Sequence, residues 1–266
     1  MLPFLHIWHF TLPTFGLMLA IAAFSAGFLL QGNLRRYRIN ADAVGIIAIA
    51  TIAGVVGAKL WHVLEDPGYL MAHPSVLLDR SGLAWFGGLV GGVGALLLQA
   101  KSTGVRSLSM LDLCAPSAAL GYGVGRIGCF TSGDGDYGIA SNLPWAMSFP
   151  HGTDPVNYPV HPTPLYELIV AVAITVFLWK RSTPAGGRLL HMGQLTGEYL
   201  ILSGIARFLV EFIRINPRIY WGMSNAQVAS LGSIAAGLVL VLYARRHVLA
   251  GLTVAPTSVE AHQAVH

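Results

Sequence analysis

A chain of 266 residues that is 54% hydrophobic and only 11% charged, with a mean hydropathy of +0.62, has too few polar side chains to clothe a water-facing surface. That composition excludes a disordered chain, a disulfide-stapled secreted domain and a cytosolic enzyme, and it points to lipid as the solvent, where each helical crossing takes about 20 apolar residues. The net charge of +4 would fit nucleic acid only if the cations clustered for it, so their placement decides.

In chain order, apolar runs occupy 12–31, 43–64, 83–100, 108–129, 163–179, 193–213 and 224–244, each bounded by charged, Gly or Pro-containing stretches. Hydropathy therefore predicts an all-α integral membrane protein of seven transmembrane helices, forming one domain over 1–246. The first run is followed by Arg-rich sequence and has no small-residue cleavage site before it, so it is expected to be a retained span. Residues 247–266 have few large apolar side chains and are expected to form a disordered cytoplasmic tail.

The connections after the first, third, fifth and seventh runs hold Arg35, Arg36, Arg38, Lys101, Arg106, Lys180, Arg181, Arg188, Arg245 and Arg246, ten of the sixteen cationic residues. The loop from Phe130 to Pro162 has no Lys or Arg, although it carries Asp134, Asp136 and Asp154. The positive-inside bias then places the N-terminus on the periplasmic side and the C-terminus in the cytoplasm, with 65–82, 130–162 and 214–223 on the outer face. Read this way the basic residues set topology, and nucleic-acid binding has no support.

Cys114 and Cys129 fall near opposite ends of the fourth run, where about 22 Å of helix separates them, so no disulfide is expected. The histidines lack ligand-like spacing, and no metal is expected. Gly123, Gly125 and Gly128 spell G-x-G-x-x-G, but no strand precedes them and a nucleotide site is rejected. Gly121 with Gly125, Gly87 with Gly91, and Gly88 with Gly92 instead read as small-residue faces that let helices approach. Gly133, Gly135 and Gly138, interleaved with Asp134, Asp136 and Tyr137 just after Arg126, read as tight backbone beside a ligand.

Lys59, Arg80, Arg126, Arg207, Arg214 and Arg218 remain, and a charge at membrane depth is kept only with a partner, a water-filled cavity or a ligand. Ser203, Arg207, Glu211 and Arg214, spaced by four, four and three, line one helix face. Two readings stand: an ion-pair stripe joining the sixth helix to its neighbours, or an anion site in which Arg126, Arg207 and Arg214 face a single carboxylate and leave charge for a phosphate.

The run Gly125-Arg126-Ile127-Gly128-Cys129-Phe130, with Gly133 and Asp134 after it, resembles the signature segment of the bacterial prolipoprotein diacylglyceryl transferase family. His161-Pro162-Thr163-Pro164-Leu165-Tyr166-Glu167, Arg207 to Arg214, and Trp85 to Gly91 resemble three further segments of that family, in the same order. The resemblance implies an inner-membrane enzyme that moves the diacylglyceryl group of phosphatidylglycerol onto the lipobox cysteine of a prolipoprotein signal peptide, without a cofactor. It implies that Arg126 and Arg207, with Glu211 orienting the latter, are catalytic. It also implies that Arg126, Arg207, Arg214, Gly133, Asp134, Gly138, His161 and Tyr166 line the substrate site, with Asp112 and Glu167 at other recurring positions. The family's usual polar side chains are replaced at Phe86, Cys129, Phe15 and Ser203. His62, His161 and Glu211 remain as candidate bases for the thiol. A divergent transferase with another acceptor and a noncatalytic lipid-binding or transport protein are the alternatives.

Overall fold

The computed structural model describes residues 2–65, 67–73, 75, 84–183 and 192–252. Arg80, Arg188, His191 and residues 253–266 of the expected tail lie outside the described residues, while 247–252, expected to belong to that tail, continue the last helix. Among the described residues eight α-helices follow one another: α1 (Thr14–Arg36), α2 (Ala43–Glu65), α3 (Pro67–Ala72), α4 (Trp85–Ser102), α5 (Ser107–Ser132), α6 (Thr163–Arg181), α7 (Gln194–Val210) and α8 (Asn225–Leu252). The apolar runs became helices close to their expected bounds, and α1, α2, α6 and α8 are long and apolar enough to cross a membrane.

The all-helical expectation is modified outside the helices. Among the described residues three antiparallel pairs occur there: β1 (Phe4–Ile7) with β2 (Phe10–Pro13) before α1, β3 (Met147–Phe149) with β4 (Val156–Val160) between α5 and α6, and β5 (Arg218–Tyr220) with β6 (Met223–Ser224) between α7 and α8. Each pairs backbone groups that lie beyond a helix end and have no intrahelical partner.

The packed pairs α1–α5, α2–α4 and α7–α8 run antiparallel, as their contacts show. A Cβ at Gly87 would strike the carbonyl oxygen of Gly57, and one at Gly91 that of Ala53, so α2 and α4 touch backbone to backbone along the predicted small-residue face. The predicted Gly121–Gly125 face carries less: a Cβ at Gly125 would meet nothing within 4 Å. On α5 the tight positions are Gly123 against Ala171 of α6 and Gly128 against Met18 of α1. The three glycines of the decoy nucleotide motif therefore lie inside a helix, two of them at helix contacts. Helix α5 is central, packing on α1, α4, α6 and α7, while α8 runs back along α7 through Gly197–Gly237 and Gly204–Ser230.

This alternation creates two ends. One, the basic end, gathers Arg36, Lys101, Lys180 and Arg181 at helix C-termini, where cations suit the helix dipole. Asn33 donates to the Leu113 carbonyl at 2.9 Å and accepts from Ser182 at 3.0 Å, tying α1, α5 and α6, and the Arg36 guanidinium lies 3.6 Å from the centre of the Trp179 ring. Cys114, on the same helix, is buried and free, as is Cys129.

Asp112 is fully buried at this end and serves a helix that is not its own. Its carboxylate accepts the backbone N–H groups of Gly193 and Thr196 and the Thr196 hydroxyl, all at 2.7 Å, and so caps the start of α7. Asp112→Ala leaves those donors buried without partners and is expected to cost about 1–3 kcal/mol. The thermal transition of the purified protein checks this; Asp112→Asn, which keeps an acceptor oxygen, is expected to lose less.

Candidate active site

At the opposite end, four elements bring charge together. Arg126 lies near the end of α5, which Gly133 terminates in the left-handed conformation at φ +61°. Glu167 sits in the second turn of α6, entered through Pro162 and Pro164, and Arg207 in the last turn of α7. There α7 stops: Glu211–Ile213 tighten into a single 3-10 turn and Arg214 is extended. The predicted stripe on one helix face therefore breaks before Arg214, though both arginines keep Glu211 within 3.1 and 3.7 Å. Ser203 is not part of the cluster; its hydroxyl donates to the Tyr199 carbonyl at 2.6 Å.

Glu167 is the hub. It lies 2.8 Å from Arg207, 3.4 Å from Arg214 and 3.6 Å from Arg126, and it accepts the Tyr122 hydroxyl at 2.5 Å. The Tyr122 ring in turn lies under the Arg126 guanidinium, 4.7 Å from it. Asp136, from the glycine-rich connection, accepts from Arg126 through one oxygen and from Arg214 through the other.

The expected excess of positive charge is thus corrected. Arg126, Arg207 and Arg214 face Asp136, Glu167 and Glu211, three cations against three carboxylates. Helix spacing reported only Glu211, because the other two arrive from a loop and from α6. The sequence marks Glu167 only through the family resemblance, Asp136 only as part of a glycine-rich loop, and Tyr122 not at all. The available signal was charge balance: arginines at membrane depth need counter-ions wherever in the chain those lie. The two ends of the balance differ in exposure, with the side chain of Asp136 27% exposed and those of Glu167 and Glu211 5% and 1%. Burial raises the Asp136 carboxyl, but the guanidiniums of Arg214 and then Arg126 outweigh it and hold the group down at about 2.

The glycine-rich connection is held by its backbone. Gly138 N–H donates to the His161 carbonyl at 2.8 Å, and a Cβ there would strike the Ile213 carbonyl, so Gly138 lets this loop cross the chain just before Arg214. Gly133 meets Gly152 in the same close manner. His161 Nδ1 lies 3.2 Å from the Tyr166 hydroxyl, which accepts from Trp145 Nε1 at 2.7 Å, and Tyr166 directly precedes Glu167 in the chain. The exposed Asp134 carboxylate accepts the Asp136 backbone N–H at 3.4 Å and comes within 4.8 Å of the Cys129 sulfur.

The candidate bases separate by position. Glu211 is enclosed between Arg207, Arg214 and the Asn216 amide, His161 pairs with Tyr166, and His62 lies on α2 3.9 Å from Glu65. Phe86 packs edge-on against Trp85 and Phe15 lies against Gly128. Cys129, Asp134 and Asp136 bring three ligand-type atoms within 4.8 Å of one another. Arg126 donates to both Cys129 and Asp136, which puts a guanidinium where a cation would need to sit, and we assign the trio to the shell of that arginine.

The family model for prolipoprotein diacylglyceryl transferase matches residues 3–243, including every residue of the arginine cluster. The chain belongs to that family. Curated relatives named phosphatidylglycerol–prolipoprotein diacylglyceryl transferase include those of Bordetella avium, 36% identical over 87% of this chain and 90% of the relative, and Clostridium tetani, 33% identical over 84% and 90%. The relative from Methylobacillus flagellatus is 34% identical over 91% of this chain and 95% of its own length. The matched stretch spans the three hairpins and the helices up to Tyr243 in α8.

Proposed function

We propose that this protein transfers the diacylglyceryl group of phosphatidylglycerol to the lipobox cysteine of a prolipoprotein signal peptide, in the bacterial inner membrane and without a cofactor. The observation that carries the reading is the convergence of Arg126, Arg207 and Arg214 at one depth of an apolar bundle, in a chain of this family. In the reaction the thiol loses its proton, a carbon–sulfur bond forms at the terminal glycerol carbon, the carbon–oxygen bond to phosphate breaks, and glycerol phosphate departs. Charge gathers on the leaving phosphate oxygens, where guanidinium forks already fixed in place stabilise it without reorganising. Arg126 and Arg207 take that role, and Glu211 and Glu167 orient them. Arg214, Gly133, Asp134, Gly138, His161 and Tyr166 complete the walls that receive the two substrates.

A second reading is favoured by one observation. Each arginine is already neutralised, and Phe86, Cys129, Phe15 and Ser203 offer little replacement for the family's polar groups, which would suit a noncatalytic lipid-binding protein. Complementation of a strain depleted of its own transferase decides between them. Diacylglyceryl-modified lipoprotein is expected, and its absence despite membrane-inserted protein would favour lipid binding alone.

The same proposal gives seven crossings with the N-terminus in the periplasm. Helices α4, α5 and α7 run between the same two ends as the four apolar ones, and the shorter two, of 18 and 17 residues, reach about 27 and 26 Å, near the hydrocarbon thickness. Reporter fusions after Arg38 and Arg106 are expected to report cytoplasm, and one within 139–158 the periplasm. A reversal at any of the three contradicts the alternation.

A further inference from the structure

Three carboxylates neutralise the arginine cluster, but only one of them is built to leave it. Glu167 and Glu211 rise from helix ends, with side chains 5% and 1% exposed, and to withdraw either would strand buried guanidiniums. Asp136 is 27% exposed and belongs to a connection in which Gly133 and Gly135 take φ values of +61° and +85°. Its backbone is pinned independently of its side chain: the Asp136 carbonyl accepts the Thr163 hydroxyl at 2.5 Å and Arg214 Nη1 at 3.4 Å. A turn about the side-chain bonds would therefore free both carboxylate oxygens while the loop stays where it is.

The carboxylate also has the shape and charge of what it would make room for. Its two oxygens span Arg126 and Arg214, as two non-bridging oxygens of a phosphodiester would, and each group carries a single negative charge. Exchanging one for the other keeps three cations against three anions. The product of the proposed reaction is different, because a phosphate monoester carries up to two negative charges near neutral pH.

We propose that Asp136 is an exchange carboxylate: it holds Arg126 and Arg214 until the phosphodiester of phosphatidylglycerol takes them, and retakes them to expel glycerol phosphate. This rests on the transferase reading for its substrate, and on the geometry for the competition itself. Asp136 is then a positioning residue, acting through the two arginines rather than on the reacting carbon.

The test uses the full-length protein in lipid nanodiscs. Calorimetric titration with glycerol phosphate, which needs no turnover, is expected to show Asp136→Asn binding about tenfold more tightly than the parent. In the transfer assay the same variant is expected to have a lower KM for phosphatidylglycerol, a lower kcat and stronger inhibition by glycerol phosphate. Binding that is weakened or unchanged in Asp136→Asn overturns the exchange role, since a carboxylate that merely supports the arginines would loosen the site when removed. Tighter binding with no turnover in the parent upholds the competition and counts against the transferase reading instead. If Asp136→Asn does not insert, the parent itself answers. Glycerol phosphate is expected to make Asp136 more reactive towards a water-soluble carbodiimide, read by peptide mass, and no change in labelling would overturn the proposal.

Discussion

Glu167→Gln is expected to destabilise the protein by about 3–5 kcal/mol and to abolish transfer, because it removes one partner of a buried charge network and leaves the other charges in place. Three guanidiniums and the Tyr122 hydroxyl converge on this carboxylate, at 2.5 to 3.6 Å. With glutamine there, Arg126, Arg207 and Arg214 keep only Asp136 and Glu211, and the amide offers one acceptor oxygen where two were used. A thermal transition lowered by several degrees in detergent, together with lost activity in nanodiscs, is the expected pair of results. Glu167→Gln with parental stability would mean that the hub is not holding the cluster together. Glu167→Asp, charged but a methylene shorter, is expected to fall between the two.

Lysine at Arg126 or Arg207 is expected to leave folding largely intact and to lower turnover about 10²- to 10³-fold, the range found when one preorganised charge-stabilising donor is lost. The reason is geometric. Arg126 reaches Asp136, Glu167 and the Cys129 sulfur while its guanidinium lies over the Tyr122 ring, and Arg207 reaches Glu167 and Glu211 together. An ammonium is a point charge and cannot present two parallel donors to a phosphate. Arg218→Lys is the control, since Arg218 lies in exposed β5 and donates to the Phe212 carbonyl at 3.4 Å. Equal turnover of the Arg126→Lys and Arg207→Lys variants with the parent would remove both residues from the chemistry.

The helices were legible because hydropathy is a local property. The run at 43–64 became α2 at Ala43–Glu65, and the run at 163–179 became α6 at Thr163–Arg181. The Gly87–Gly91 face was legible for the same reason, since spacing alone defines it. Local patterns misled where partners came from elsewhere in the chain. Extending the sixth helix to Arg214 ignored that α7 tightens at Glu211 and that Arg214 pairs across a β-bridge with Gly138. Counting one carboxylate beside three arginines missed Glu167, forty residues before Arg207, and Asp136, in a loop whose glycines mark tight backbone beside a ligand but not a counter-ion. The family resemblance did bring Arg126, Arg207 and Glu211 to one place in advance. It gave no hint that the glycine-rich loop contributes a competing anion, because that depends on where two guanidiniums point.

Transfer itself is the most direct measurement. Purified protein in phosphatidylglycerol nanodiscs, given a peptide with a lipobox cysteine, is expected to convert the thiol to a diacylglyceryl thioether and release one glycerol phosphate for each, read together by mass spectrometry. An unmodified thiol in the parent protein, under conditions where Arg126→Lys and parent bind phosphatidylglycerol differently, would contradict the transferase function while leaving the arginine cluster as a lipid-headgroup site.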